Sequence, residues 1–150
     1  MGDQIDFSTN SNLYSKFLNS LIKRGNKVKA KKLLDEALVI VVEKLNCEHS
    51  FPLIEYFDIL NCFVEVRKVR VKRRFLLVPF PIKEKRRIFL IIKWTLEIVK
   101  KEKSKVSLSN KLASSISNVL EKSPSKIKDR RQLNLSQAAT NKSNTHFRWK

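Results

Sequence analysis

Val64-Glu65-Val66-Arg67-Lys68-Val69-Arg70-Val71, followed beyond Lys72-Arg73-Arg74 by Phe75-Leu76-Leu77-Val78-Pro79-Phe80-Pro81, decides how the chain must be built. In its first half apolar and charged side chains alternate, the two-residue repeat of a half-exposed strand. The second half answers as another strand. Pro79 and Pro81 lack the N–H that a central ladder needs, so they fit only a sheet edge or a strand end. Residues 62–82 are therefore predicted to form one β-hairpin with a basic tip at Lys72-Arg73-Arg74.

On both sides of this stretch the apolar period is helical. Upstream, Leu13, Phe17, Leu18, Leu21 and Ile22 recur at helical spacing until Gly25 and Asn26 stop them. Ala30, Leu33, Leu34, Ala37, Leu38, Val41, Val42 and Leu45 then make a stripe about five turns long, with Leu34, Leu38 and Val41 expected in the core. Ser50 stands as a cap before Pro52, which suits the first turn of a third helix whose buried side is Leu53, Ile54, Phe57 and Leu60. Downstream, Ile88, Ile91, Ile92, Thr95, Leu96 and Val99 predict a fourth helix. Leu108, Leu112, Ile116 and Leu120, behind a Ser107 cap and ahead of Pro124, predict a fifth. Residues 126–142 form a weaker helix through Leu133, Leu135, Ala138 and Ala139. The expected fold is mainly α, a bundle of about six helices with the hairpin between the third and the fourth. A flexible segment, 1–12, precedes a single domain over 13–150. The first two helices are expected to supply most of the core.

The charge is distributed unevenly. Of 32 Lys and Arg against 14 Asp and Glu, a net of +18, residues 1–60 hold eight of each sign. The whole excess therefore lies in 61–150. A field that one-sided repels itself in a compact state and draws polyanions. Nucleic acid is the first such partner to consider, because each neutralised phosphate releases a counterion.

Three clusters carry the excess. Arg67, Lys68, Arg70, Lys72, Arg73 and Arg74 stud the hairpin, where a basic ribbon fits a groove of folded RNA. A solvated edge guarded by charge against aggregation is the plainer reading of the same run. Lys83, Lys85, Arg86 and Arg87 crowd the start of the fourth helix, against its dipole, where phosphate would reward both the amides and the cations. Lys126, Lys128, Arg130 and Arg131, with the closing His146-Phe147-Arg148-Trp149, form the third. Its aromatic and guanidinium planes suit stacking on unpaired bases. Phe147 serves equally well as a pin holding the C-terminus on the core.

Other chemistries find little material. The only glycines are Gly2 and Gly25, so no phosphate-cradling loop exists. Cys47, Glu48, His49, Cys62 and His146 match no common zinc spacing, and two cysteines build no disulfide framework. Neither a metal, a cofactor nor a small-molecule substrate is expected, and the protein is not predicted to be an enzyme. No apolar run reaches membrane-spanning length, and the bases gather at element ends rather than along one apolar helix face, so no membrane partner is expected. The first ten residues carry Asp3 and Asp6 and no base, unlike a secretory or transit leader, which predicts a chain made where it works.

Several of these stretches resemble one family. Residues 17–38, from Phe17-Leu18-Asn19-Ser20-Leu21-Ile22-Lys23-Arg24-Gly25 to Ala37-Leu38, look like the opening helices of the universal small-subunit ribosomal protein seven family. Val64-Glu65-Val66-Arg67, Val78-Pro79, Arg86-Arg87 and Ile92-Lys93-Trp94 resemble its hairpin and following helix, and Asn141-Lys142 with His146 to Trp149 its C-terminal signature. The resemblance implies a ribosomal protein that binds the three-prime major domain of small-subunit ribosomal RNA and nucleates the head among neighbouring head proteins. It also implies a ribbon reaching toward exit-site transfer RNA and message. By position it adds Gly25, Lys27, Lys29, Lys93 and Lys142 to the RNA candidates, beside Arg67, Arg70, Arg86, Arg87, Arg131, His146, Arg148 and Trp149. The chain departs from the family in several places, among them Leu135, Gln137 and Asn144, where the family tends to have His, Met and Phe. Lys72-Arg73 replaces a glycine pair at the tip, predicting a wider, more basic turn; Glu84 replaces a proline; and acidic residues replace a basic N-terminal arm. This drift, with 22 lysines and abundant Asn and Ile, predicts an organelle-encoded protein of the mitochondrial matrix, with the plastid as alternative. A free-standing basic RNA-binding or RNA-chaperone module is the competing expectation.

Overall fold

A computed structural model describes residues 7–45 and 52–149. Helix α1 (Phe7–Leu21) leads through a turn into α2 (Lys27–Leu45), and α3 (Pro52–Ile59) follows. Strands β1 (Val64–Val71) and β2 (Arg74–Pro81) come next, then α4 (Glu84–Lys101), α5 (Leu108–Leu120), α6 (Lys126–Thr140) and a 3₁₀ segment, Lys142–Trp149. The hairpin thus lies between the third and fourth helices of a mainly helical domain, as expected. Residues 7–12, assigned from sequence to a flexible N-terminal segment, are the first turns of α1. They hold a single large apolar residue, Phe7, too few for a helical period to report them. Residues 1–6, Cys47, Glu48, His49 and the Ser50 cap lie outside the described residues.

The α1–α2 turn shows why this chain keeps a glycine at position 25. Lys23 O accepts from Asn26 N at 3.1 Å across Arg24 and Gly25, both left-handed with φ of 52° and 73°. Positive φ at both central positions is the type I′ pattern. Nothing lies near the place a Gly25 side chain would occupy, so backbone conformation, not space, selects the glycine. Asn26 then caps α2, its Oδ1 accepting from Lys29 N at 3.3 Å.

The core is built more from α4 and α5 than from the first two helices. Eight residues of α4 and seven of α5 are buried, against four of α2: Ala30, Leu34, Ala37 and Val41. Leu38 and Ile54 pack at the core's margin and Val42 faces out, because the buried strip of α2 is one residue wide per turn. Leu133 is exposed as well. At the centre the Thr95 hydroxyl donates to Ile91 O at 2.8 Å and so accepts from Tyr56 OH at 2.6 Å. Burial pushes that phenol far above its ordinary pKa. The pair is satisfied, and so costs the core little.

A second, smaller cluster roots the hairpin. Cys62 before β1 and Ile82 after β2 pack with Leu90 and Trp94 of α4, and Leu135 of α6 closes over them. The ladder runs without a bulge from Val64 opposite Pro81 to Val71 opposite Arg74. The turn is therefore the two residues Lys72 and Arg73, tight rather than the wider tip expected. Lys72 meets the geometry that the missing glycine would have supplied, at φ 55°. Unbroken pairing also means that Val64 and Val66 point to one face and Val69 and Val71 to the other. The alternation read from sequence changes phase at Lys68, and neither face of the ribbon is wholly apolar.

Leu34→Asp places an unpaired charge at a fully buried site on α2 and should cost more than about 3 kcal/mol, lowering the thermal midpoint by about 8 °C or more. Val39→Asp, on the same helix at a position 56% exposed, should change stability by no more than about 0.5 kcal/mol. Equal losses would contradict the assigned helix face.

Candidate nucleic-acid interface

The ribbon and the start of α4 are joined by one carboxylate. Glu65 of β1 accepts two hydrogen bonds from Arg86 of α4, Nη2 to Oε1 at 2.7 Å and Nε to Oε2 at 3.1 Å. Arg67, two residues along the strand on the same face, donates to Oε2 from Nη2 at 2.9 Å and Nε at 3.2 Å. The Glu65 side chain is only 14% exposed, against 42% for Arg86. The Arg86 hydrogen bonds hold the carboxyl below the ordinary range, outweighing burial, with Arg67 adding to them. Glu65 in turn raises the Arg86 pKa.

Each of the three arginines at the ribbon's root also lies over a phenylalanine. Arg67 sits 5.3 Å from the centre of the Phe80 ring, Arg86 5.0 Å from Phe89, and Arg87 4.6 Å from Phe63. Phe63 and Phe89 are exposed. Stacking of this kind holds a guanidinium plane in place while leaving donors at its edges. Arg87 also reaches Asn61 Oδ1 at 3.4 Å, and Arg131 of α6 donates to Asn61 O at 2.9 Å.

The predicted cations thus divide into two groups. Arg67, Arg70, Arg86, Arg87, Arg131 and Arg148 have protein partners. Arg70 donates to Lys72 O at 3.3 Å and Arg148 to Pro79 O at 2.6 Å. Lys128 donates to Ser123 O at 3.0 Å, and Lys93 approaches Glu97 at 3.9 Å. In contrast, Lys68, Lys72, Arg73, Arg74, Lys83, Lys85, Lys126, Arg130 and Lys142 are exposed, with no side-chain partner among the described residues. Lys27 and Lys29 are exposed likewise, while Gly25 shapes the turn that presents them. In the tail, His146 Nδ1 lies 2.8 Å from Ser143 O and its ring 3.9 Å from that of Phe147, which is half-buried; Trp149 is 91% exposed.

The 3₁₀ segment lies along β2. Asn144 Nδ2 donates to Leu77 O at 3.1 Å, two residues before the Arg148 contact at Pro79. Leu77, Pro79 and Pro81 alternate along the strand with residues whose backbone faces β1, so the prolines fall where no ladder N–H is needed. On the other edge, Asn134 of α6 donates to Val64 O at 2.6 Å and Cys62 Sγ–H to the same oxygen at 3.1 Å.

Comparison with known proteins fits this architecture. The family model for ribosomal protein S7p/S5e matches residues 3–142. The chain belongs to that family. Small ribosomal subunit protein uS7 of Wigglesworthia glossinidia brevipalpis is 33% identical over 140 residues, covering 93% of this chain and 88% of the relative. That of Pelagibacter ubique has the same identity and coverage. That of Hydrogenovibrio crunogenus is 32% identical over 136 residues, 90% of this chain and 85% of the relative. These relatives are ribosomal proteins, and the S7p/S5e chain described here is not an enzyme.

Sequence reasoning missed Glu65, the phenylalanine platforms and the three asparagines at the ribbon's edges. One signal was available: Glu65 is the only acid between Asp58 and Glu84, in the most basic part of the chain. An isolated carboxylate there marks an organiser of cations.

Glu65→Gln should cost about 1–2 kcal/mol at neutral pH by loosening both arginines. A carboxyl held low when folded stabilises fully above its unfolded pKa, near 4.5, and progressively less as pH falls below that. The stability gap between wild type and Glu65→Gln should therefore be constant near pH 7 and close below about pH 4 in urea titrations. A gap independent of pH would show that the charge is not what holds the ribbon.

Proposed function

We propose that the chain is a structural constituent of the small ribosomal subunit that binds the three-prime major domain of its ribosomal RNA and nucleates the head beside neighbouring head proteins. Its hairpin lines the path of exit-site transfer RNA and message. The observation that carries this reading is the field around the ribbon. Lys68, Lys72, Arg73, Arg74, Lys83 and Lys85 are exposed and have no side-chain partner among the described residues, and the one strand carboxylate, Glu65, is already held by two guanidinium groups. Small ions screen such a surface in solution, and a polyanion that binds it gains the entropy of the counterions released from its phosphates. Family membership makes ribosomal RNA the polyanion of choice.

The anchored arginines give position and the free cations give affinity. Arg67, Arg86 and Arg87, held by Glu65 and stacked on phenylalanines, offer donor edges in a fixed geometry that suits phosphate. The mitochondrial matrix, with the plastid as alternative, is the compartment we propose, on the Lys- and Asn-rich composition. The Trp149 indole suits stacking on an unpaired base.

Double substitution Lys83→Ala, Lys85→Ala should weaken binding to a three-prime major-domain RNA fragment and flatten the log–log salt dependence by about 1.5. Lys16→Ala with Lys44→Ala, in the charge-balanced part of the chain, should do much less. Arg73→Ala with Arg74→Ala should leave co-sedimentation with the small subunit in high salt intact and disturb translation. Equal losses from all three pairs, without co-sedimentation, would favour a free-standing basic module.

A further inference from the structure

A second concave site lies toward the end of α4 away from the hairpin, about 20 Å along the helix axis from Arg86. It is a cavity of about 540 Å³ between the C-terminal ends of α1 and α4 and the start of α2. Leu21, Ala30, Leu33, Leu96 and Val99 make an apolar floor. Lys23, Arg24, Lys29 and Lys100 stand on the rim, and no acidic side chain lines it among the described residues. All four rim cations are exposed and have no ion pair or side-chain hydrogen bond there.

The backbone gathers two of these charges at unfavourable positions. Lys29 lies in the first turn of α2, which holds no acid, where the helix dipole disfavours a cation. Arg24 is presented by the left-handed pair Arg24-Gly25, a conformation that costs a non-glycine residue about 1 kcal/mol. Lys100, in the last turn of α4, and Lys23, just past the end of α1, sit where a dipole favours a cation. A ring of cations over aliphatic side chains matches a ligand with a flat, weakly polar body and negative charge beside it.

We propose that this cavity receives one unstacked nucleotide of the bound RNA, its base against the Leu21–Leu33–Val99 floor and the flanking phosphates on Lys23, Arg24, Lys29 and Lys100. The subsite rests on the RNA-binding reading above and extends the interface to the far end of α4. Its volume lies within the usual range for small-ligand sites. The mechanism differs from that of the hairpin, since here affinity comes from base burial as well as charge.

The test uses the full chain and a three-prime major-domain RNA fragment, with affinity measured against salt and base reactivity probed by dimethyl sulfate. Ala30→Leu grows into the cavity from its floor and changes no charge. Ser20→Ile obstructs it from an exposed rim position without entering the core. Each, with a wild-type melting midpoint, should bind roughly tenfold more weakly at unchanged salt slope. At least one unpaired adenine or cytosine protected by the wild type should regain reactivity. Lys23→Ala with Arg24→Ala should lower both affinity and slope. If Ala30→Leu does not fold, Ser20→Ile decides alone. Wild-type affinity and an unchanged protection pattern in the folded filling variants would overturn the subsite while leaving the hairpin interface standing. The same holds if the cavity instead captures an acidic, leucine-containing peptide that Ala30→Leu releases. Failure of the wild-type chain to bind the fragment at all would overturn the RNA reading, and the subsite with it.

Discussion

The carboxylate of Glu65 is the contact on which the basic half of the molecule depends. Arg67 and Arg86 belong to different elements, and without a shared anion they would repel one another across the root of the ribbon. One acid between two bases leaves a residual positive charge, so the cluster is held together and still unsatisfied. Its energy is modest. The arginines are nearly half exposed, and water screens much of the attraction. What the contact supplies is direction: a bidentate fork fixes the plane of Arg86, and that plane relates the ribbon to α4.

Direction matters because a two-stranded ribbon is a poor structure by itself. Isolated hairpins are marginal in water, and both edges of this one would leave backbone groups open. The chain answers at each point. The Cys62, Ile82, Leu90 and Trp94 cluster buries the root. Asn134 takes the carbonyl of Val64, and Asn144 and Arg148 take those of Leu77 and Pro79. The tail therefore acts as a third, non-strand layer against β2, which explains why so polar a segment, Lys142–Trp149, keeps regular structure. The distal ribbon lacks such support. There Phe75 is exposed and the charges of Lys72, Arg73 and Arg74 oppose self-association while remaining free for a polyanion.

Much of this was legible in the sequence, and the exceptions have physical causes. The change from helical to two-residue period located the hairpin to within two residues, because side-chain alternation follows directly from the pleat. Turn width was misjudged because glycine is a preference and not a requirement. Lys72 occupies the left-handed region at a cost the ladder covers. The share of core given to α2 was overestimated because apolar content shows which residues prefer burial, not how many neighbours arrive. Val42 is as apolar as Val41, yet no element covers it. In the candidate interface the clusters were visible as charge. The division into anchored and free cations was not, since it depends on carbonyls and asparagines brought together by the fold, such as Asn61 meeting both Arg87 and Arg131.

That division follows side-chain chemistry. Six of the ten arginines are tied to the protein by nitrogen–oxygen contacts, whereas of the cations the sequence singled out only one lysine, Lys128, donates a hydrogen bond, and Lys68, Lys72, Lys83, Lys85, Lys126 and Lys142 stay free beside Arg73, Arg74 and Arg130. A lysine ammonium is a single strongly hydrated point, and its attraction to phosphate depends little on orientation. A guanidinium carries five donors around a plane. Arg148 gives Nε to Pro79 and Arg131 gives Nε to Asn61, which leaves the terminal nitrogens for another acceptor. Anchoring therefore does not remove these arginines from an RNA interface. It reduces the rotamer entropy lost on binding and fixes where the remaining donors point. A surface of lysines alone would attract RNA in many registers with similar energy. In the RNA-binding role proposed above, the anchored arginines would limit those registers, so that a net charge of +18 would act as an interface with a preferred orientation.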